Sequence, residues 1–309
     1  MSNILVGVQS GDWYDENDHF ASMKRLRECG FDAIDFNIDH VLAPIKYAKG
    51  EGEYPIAKLP TDEFVEFFRA LKEAKEINGI HISQMHAPFP FYIPEKDEAN
   101  EFFREVNVKC MAVCALVGCP AIVIHPYVDP DGNKEREFFI NFTTYRKLIP
   151  AAKEYNVKIC LENIPRWKGH LIMNGCCTDP DEACYYIDSL NEEAGEEIFG
   201  FCFDVGHANI TGRDIKQDLK ILDKRVTILH IHGNDRENDL HLIPYTTIKA
   251  NKHTLDWDGF IEGLREIGYD GTLSFETFNA LRMIPESVHT DALKFISSIG
   301  RYFKAKIEE

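Results

Sequence analysis

The sequence predicts an α/β protein, a single (β/α)8 TIM barrel spanning residues 1–309 as one domain. Two observations lead there. Short apolar runs alternate with longer segments of helical period along the whole chain. Eight such units in 309 residues average about 38.6 residues each, which fits a barrel with loop insertions.

Taken in order, the strand segments are residues 4–8, 33–38, 80–86, 121–125, 157–162, 199–204, 227–232 and 272–276. Most are nearly continuous apolar runs, as expected of parallel strands covered on both faces. Between them, residues 62–77, 95–117, 135–155 and 257–267 place apolar side chains three and four apart, the stripe of an amphipathic helix. Gly30, Gly79, Gly118 and Gly268 follow four of the helices, where a residue tolerant of positive φ ends a helix cheaply. Arg27-Glu28-Cys29-Gly30-Phe31-Asp32 is echoed by Arg265-Glu266-Ile267-Gly268-Tyr269-Asp270, and both precede a strand. The turn after the first run, Gln9-Ser10-Gly11-Asp12, is not the glycine-rich fingerprint of a doubly wound open sheet. The long irregular stretches 39–60, 164–179 and 233–254 all follow strands and are therefore expected over the barrel mouth.

Composition narrows the function classes. With 44% hydrophobic and 28% charged residues the chain is an ordinary globular protein, neither disordered nor collagen-like. Lys and Arg number 34 against 51 Asp and Glu, a net charge of −17, which weighs against a nucleic-acid binder. No apolar run approaches the roughly 18 residues of a membrane span, and residues 1–6 lack the pattern of a secretory signal. The nine cysteines form no CxxC pair and lie mostly within apolar patterns, the usage of reduced thiols in a cytoplasmic protein. Cys176-Cys177 is an unusual pair, read as a loop feature.

The chemistry sits at the ends of the strands. The third run ends in His86, the fourth in His125, the fifth in Glu162, the sixth in Asp204, the seventh in His232 and the eighth in Glu276. Barrels of this kind gather their active sites at the C-terminal ends of the strands, so these groups converge. Gathered carboxylates repel one another unless a cation lies among them, and imidazole with carboxylate suits Zn, Mn, Co or Mg. A divalent metal site is expected. A carboxylate ending an apolar strand is costly to desolvate without a partner, so Glu162, Asp204, His232 and Glu276 carry this expectation. His86 and His125, taken singly, are as readily structural.

His207, three residues after Asp204, can turn back over the mouth. Asp239 and His241 have the i, i+2 spacing that points two side chains the same way. His230 shares a strand face with His232 but lies one step deeper, so His232 is the expected ligand. Trp13, Tyr14, Phe89, Phe91, Tyr92, Tyr127 and Trp167 are candidates for an apolar wall, and Arg166, Lys168, Arg236 and Lys249 for holding a phosphate or carboxylate.

From Met1 to about Lys304 the chain resembles the xylose isomerase-like TIM barrels, the sugar phosphate isomerase/epimerase superfamily that also contains endonuclease IV. The motifs that carry the resemblance are Met85-His86-Ala87-Pro88, Ile124-His125-Pro126, Leu161-Glu162-Asn163, Phe203-Asp204-Val205-Gly206-His207, His230-Ile231-His232-Gly233-Asn234-Asp235, Asp239-Leu240-His241 and Ser274-Phe275-Glu276-Thr277. The resemblance implies one divalent metal on Glu162, Asp204, His232 and Glu276 and a carbohydrate substrate whose polarised carbonyl passes through an enediolate. Glu162 and Glu276 are then the catalytic proton carriers, and His207 resembles the residue that contacts a substrate hydroxyl; His86 and Arg236 are expected as further substrate contacts. It also implies a frequent homo-oligomer.

Two alternatives stand beside this. A lyase of inosose dehydratase type would use the same enediolate. A trinuclear zinc phosphodiesterase of endonuclease IV type would use His86, His125, Glu162, Asp204, His207, His232, Asp239, His241 and Glu276 as ligands. Against the phosphodiesterase stand the acidic balance and the scarcity of basic clusters in the loops. Residues 242–247 depart from the Gly-rich turn of the superfamily, and the pattern resumes only at Leu255-Asp256-Trp257. A non-catalytic barrel binding a sugar or a protein is the remaining reading.

Overall fold

The computed structural model describes residues 4–38, 42, 55–249 and 252–309. Eight parallel strands form the barrel: β1 (Leu5–Gln9), β2 (Ala33–Asn37), β3 (His81–His86), β4 (Ala121–Val123), β5 (Lys158–Glu162), β6 (Phe199–Asp204), β7 (Val226–His230) and β8 (Thr272–Phe275). They pair in sequence order from β1 to β7, with β8 beside β1. The last seam closes where Ile231 N donates to Ser274 O (2.9 Å) and Glu276 N donates to Ile231 O (3.0 Å). The expected (β/α)8 architecture is the one observed.

Two helices expected to be continuous are each broken. The segment 62–77 becomes Thr61–Phe67 and Arg69–Asn78. Between them Phe68 leaves helical geometry with its ring buried beside Phe64 and Phe36. The segment 135–155 becomes Lys134–Arg146 and Ile149–Tyr155, the second carrying Pro150 in its first turn. Proline has no N–H to return to the carbonyl four residues back, so one helix cannot run through it. Asp97–Val117 and Trp257–Glu266 match expectation closely. Gly79 and Gly118 end their helices in left-handed geometry, at φ 62° and 65°.

The stretches 164–179 and 233–254 contain small antiparallel hairpins, Arg166–Lys168 with Leu171–Met173 and Ile248–Lys249 with Lys252–His253. Most of 39–60 lies outside the described residues. The main core packs the outer barrel face against the helices. Inside the barrel a small cluster, Ala121, Val123, Cys160, Cys202 and Ile228, fills the lower layers and leaves the upper ones to polar groups. No disulfide forms among the described residues. Nor is any described helix long and apolar enough to cross a membrane.

Candidate metal centre

Register carries the sequence pattern into space. In the pairing, Asn37 lies beside His86, Glu162 beside Cys202 and Asp204 beside His230, so the strand ends form one rim. His86, Glu162 and Asp204 close their strands; His125 and His232 lie two residues beyond theirs and Glu276 one beyond.

Asp204 has two tasks. One carboxylate oxygen accepts from His207 N (2.6 Å), capping the helix Val205–Ile210, and the carboxylate lies 3.1 Å from His232 Nε2. The cap fixes His207 over the rim, where its Nδ1 is 3.2 Å from Glu162 Oε1. Gly206 is required here because a Cβ would collide with the His232 ring. The loop after β7 returns through a paired bridge, Gly233 N to Leu242 O (2.7 Å) and Leu242 N to Gly233 O (2.9 Å). That return brings Asp239 and His241 to the mouth. Asp239 Oδ2 then lies 3.2 Å from both His207 Nε2 and His241 Nε2. On the other side His86 Nε2 is 2.9 Å from His125 Nε2, which is 3.1 Å from Glu162 Oε2.

Eight of the nine expected donors, all but Glu276, therefore fall into overlapping groups: His86, His125 and Glu162; Glu162, Asp204 and His207; His207, His232, Asp239 and His241. Within each, one donor atom per residue lies within 4.8 Å of the others. His86 Nδ1 donates to Ala87 O (2.9 Å), so in the neutral ring its Nε2 presents a lone pair to a cation; His241 Nδ1 donates to Glu276 O (3.1 Å). Glu162 Oε2, His207 Nδ1 and Asp239 Oδ1 are buried without a hydrogen-bond partner, again as ligand atoms would be.

Electrostatics separate the two glutamates. Burial alone would raise Glu162, but the His230 and His125 imidazoles hold it well below the ordinary carboxylate range. For Glu276 burial wins, lifting it from 4.5 to about 7 against the pull of His230 and His241. Burial, with His125 and His230 nearby, lowers His86 from 6.5 to about 3, so it stays neutral and able to ligate.

A cavity of about 330 Å3 opens above the donors, lined by Asn37, His86, Phe89, His125, Glu162, His207, Asp239, His241, Glu276, Phe278 and Arg282. Of the seven candidate aromatics only Phe89 lines it, stacked on His125 at 5.4 Å. Trp13, Tyr14 and Phe91 are core residues, Tyr92 packs on Tyr127, and Trp167 is on the first hairpin. Arg236 lines a different cavity, of about 710 Å3, with Arg213, Lys252, His253 and Trp257. Arg166, Lys168 and Lys249 also stand outside the lining of the donor cavity. Its one Lys or Arg among the described residues is Arg282, ion-paired to Asp12 at 2.7 Å.

Sequence reasoning missed Arg282 and Phe278, which enter from a short helix, Phe278–Arg282, with no strand-end signal. It also missed Gln9, whose Nε2 donates to Glu276 Oε1 (2.6 Å). A polar residue ending the apolar first run was the available sign.

Residues 23–299 match the model of the xylose isomerase-like TIM barrel family, and the chain belongs to that family. It is similar to an uncharacterized protein of Methanocaldococcus jannaschii, 26% identical over 84% of this chain and 79% of the relative. It is similar also to a probable endonuclease 4 of Acholeplasma laidlawii, 26% identical over 84% of this chain and 82% of the relative. Among solved structures, a D-tagatose 3-epimerase-like protein superposes with a TM-score of 0.67 at 21% identity, covering 96% of this chain and 98% of that one. That likeness concerns the fold.

Proposed function

We propose that the chain is a divalent-metal-dependent isomerase or epimerase of a small sugar, sugar phosphate or polyol. The observation that carries this reading is the cavity of about 330 Å3 with two buried carboxylates, Glu162 and Glu276, from separate strands among imidazole donors. Its volume lies at the small end of the roughly 300–1,000 Å3 of small-molecule sites. A divalent ion held by Glu162, Asp204, His232 and Glu276 would supply Lewis acidity at a substrate carbonyl oxygen. Glu162 and Glu276 exchange a proton with the carbon beside that carbonyl, one removing it and the other returning it, through an enediolate. His207 and His86 orient hydroxyl groups, and Phe89 and Phe278 cover the apolar face of the sugar. The D-tagatose 3-epimerase-like structural neighbour supports the sugar reading.

The test is a panel of ketoses, aldoses and polyols incubated with metal-loaded protein in deuterated water. At least one substrate gains deuterium at the carbon beside its carbonyl. Glu162→Gln and Glu276→Gln each lower that exchange by about 10²–10⁴-fold while the fold persists. Exchange that survives either change overturns the proton-transfer roles.

One observation favours a second reading, a hydrolase of phosphate esters with several zinc ions. The donors form overlapping groups, with Glu162 shared between two of them, so there is material for more than one ion. The probable endonuclease 4 among the relatives supports the same idea. Cleavage of a duplex containing an abasic site by zinc-loaded protein is its test, and a clean negative removes it.

A further inference from the structure

Below the donor rim lies a second ring that the proposed chemistry does not use. Asp35, Gln84, Cys160, Cys202, His230 and Ser274 each precede a rim residue by two positions and are fully buried. Barrel interiors of this fold are normally packed with branched apolar side chains. Burying an acid and an imidazole there is expensive unless they serve each other or something above them.

His230 joins the two layers. Its Nε2 lies 3.2 Å from Asp35 Oδ2, and its Nδ1 lies 3.3 Å from Glu162 Oε2 and 3.4 Å from Glu276 Oε2. Asp35 is steadied in turn, because Gln84 Nε2 donates both to its Oδ2 (3.1 Å) and to Leu229 O (3.2 Å). The His230 ring also lies parallel to His86, 5.6 Å between centroids. One imidazole thus lies within ion-pair distance of both glutamates from beneath and of an acid on another strand at its far edge, although neither ring nitrogen makes a well-aligned hydrogen bond.

We propose that His230, anchored by Asp35, is a positioning residue: it sets the spacing of the Glu162 and Glu276 carboxylates and thereby the strength of metal binding above it. The inference rests on the metal half of the proposed function and not on which substrate is turned over. Residues that orient ligands in this way contribute about 10–100-fold to metal affinity.

The experiment is calorimetric titration of Mn2+ and of Zn2+ into the chelator-stripped full chain, with the melting temperature of each metal-free variant measured alongside. His230→Leu, which removes both contacts, weakens binding by about 10–100-fold. His230→Asn, which keeps a polar group on the Nδ1 side, recovers most of that loss. Asp35→Asn, nearly isosteric, loses about 10-fold and carries the test if the leucine variant does not fold. Unchanged affinity in His230→Leu with only a lower melting temperature means a packing role and overturns the proposal. Equal losses in the leucine and asparagine variants overturn it as well. A wild-type chain that binds neither ion overturns the metal reading and this inference together, whereas a binding wild type with an equally strong leucine variant overturns the inference alone.

Discussion

At the scale of single residues, the raised Glu276 would make the proposed metal binding depend on pH. Its unfolded value is 4.5 and its folded value about 7, so in the metal-free chain it contributes stability fully present below 4.5 and lost as pH rises through about 7. Glu162 shifts the other way, and its contribution is lost only as pH falls below the ordinary carboxylate range. Between pH 4.5 and about 7 Glu276 therefore takes stability from the metal-free protein, while His86, held neutral by burial, returns some as pH rises toward 6.5. Ligation needs the ionised carboxylate, so binding releases a proton in that window. The gap in melting temperature between metal-loaded and chelator-stripped protein is expected to widen from pH 5 to pH 7. A gap that stays constant would mean Glu276 is already ionised without metal. At this scale the strand-end residues were legible, because each breaks an apolar run. The ring beneath them was not: Gln84, Asp35 and Ser274 look like incidental polar residues until the two-residue period aligns them under His86, Asn37 and Glu276.

At the scale of elements, asparagine side chains act as short pieces of strand. Asn163 Nδ2 donates to Asp204 O and its Oδ1 accepts from Asp204 N, both at 2.8 Å, pinning the top of β6 to the loop after β5. Asn191 does the same at the bottom of β6, donating to Phe199 O (3.0 Å) and accepting from Phe199 N (2.8 Å). Replacing either by leucine orphans two backbone groups at a cost of about 1–3 kcal/mol each where they stay dry. Both variants lower the urea midpoint. Only Asn163→Leu is expected to weaken metal binding as well, since only it frees Asp204. Equal effects of the two on metal affinity would show that β6 transmits disorder along its whole length. Gly206→Ala is expected to impair binding by the same route, through displacement of His232, with the titration of Mn2+ as its measure. The helix breaks were less legible. Pro150 announces one, but in the first turn of a helix proline is also tolerated, so its presence alone does not separate a new start from the interior of a long segment. The return of Asp239 and His241 depended on the Gly233–Leu242 bridge, a long-range pairing that no local pattern encodes.

For the molecule as a whole, charge ties the number of metal ions to the kind of substrate. The net charge is −17, and four of the carboxylates behind it, Glu162, Asp204, Asp239 and Glu276, are buried or half-buried at the site. A single divalent ion offsets only two of those four charges, and Arg282 is already neutralised by Asp12. Such a mouth repels a phosphate group and favours an uncharged sugar or polyol. Three divalent ions reverse the sign of the site and make it attractive to a phosphodiester. Elemental analysis of protein purified without chelator therefore decides between the two readings before any substrate is found. About one Mn, Co or Mg per chain is expected, together with activity on neutral sugars that falls when the substrate carries a phosphate. Two or three Zn per chain would instead place His86, His125, His207, Asp239 and His241 among the ligands, and the acidic surface would then have to be overcome by the metal centre itself. In that case phosphodiester cleavage should weaken less with rising salt than it does for proteins that hold nucleic acid through rows of Lys and Arg, because few such contacts would be screened.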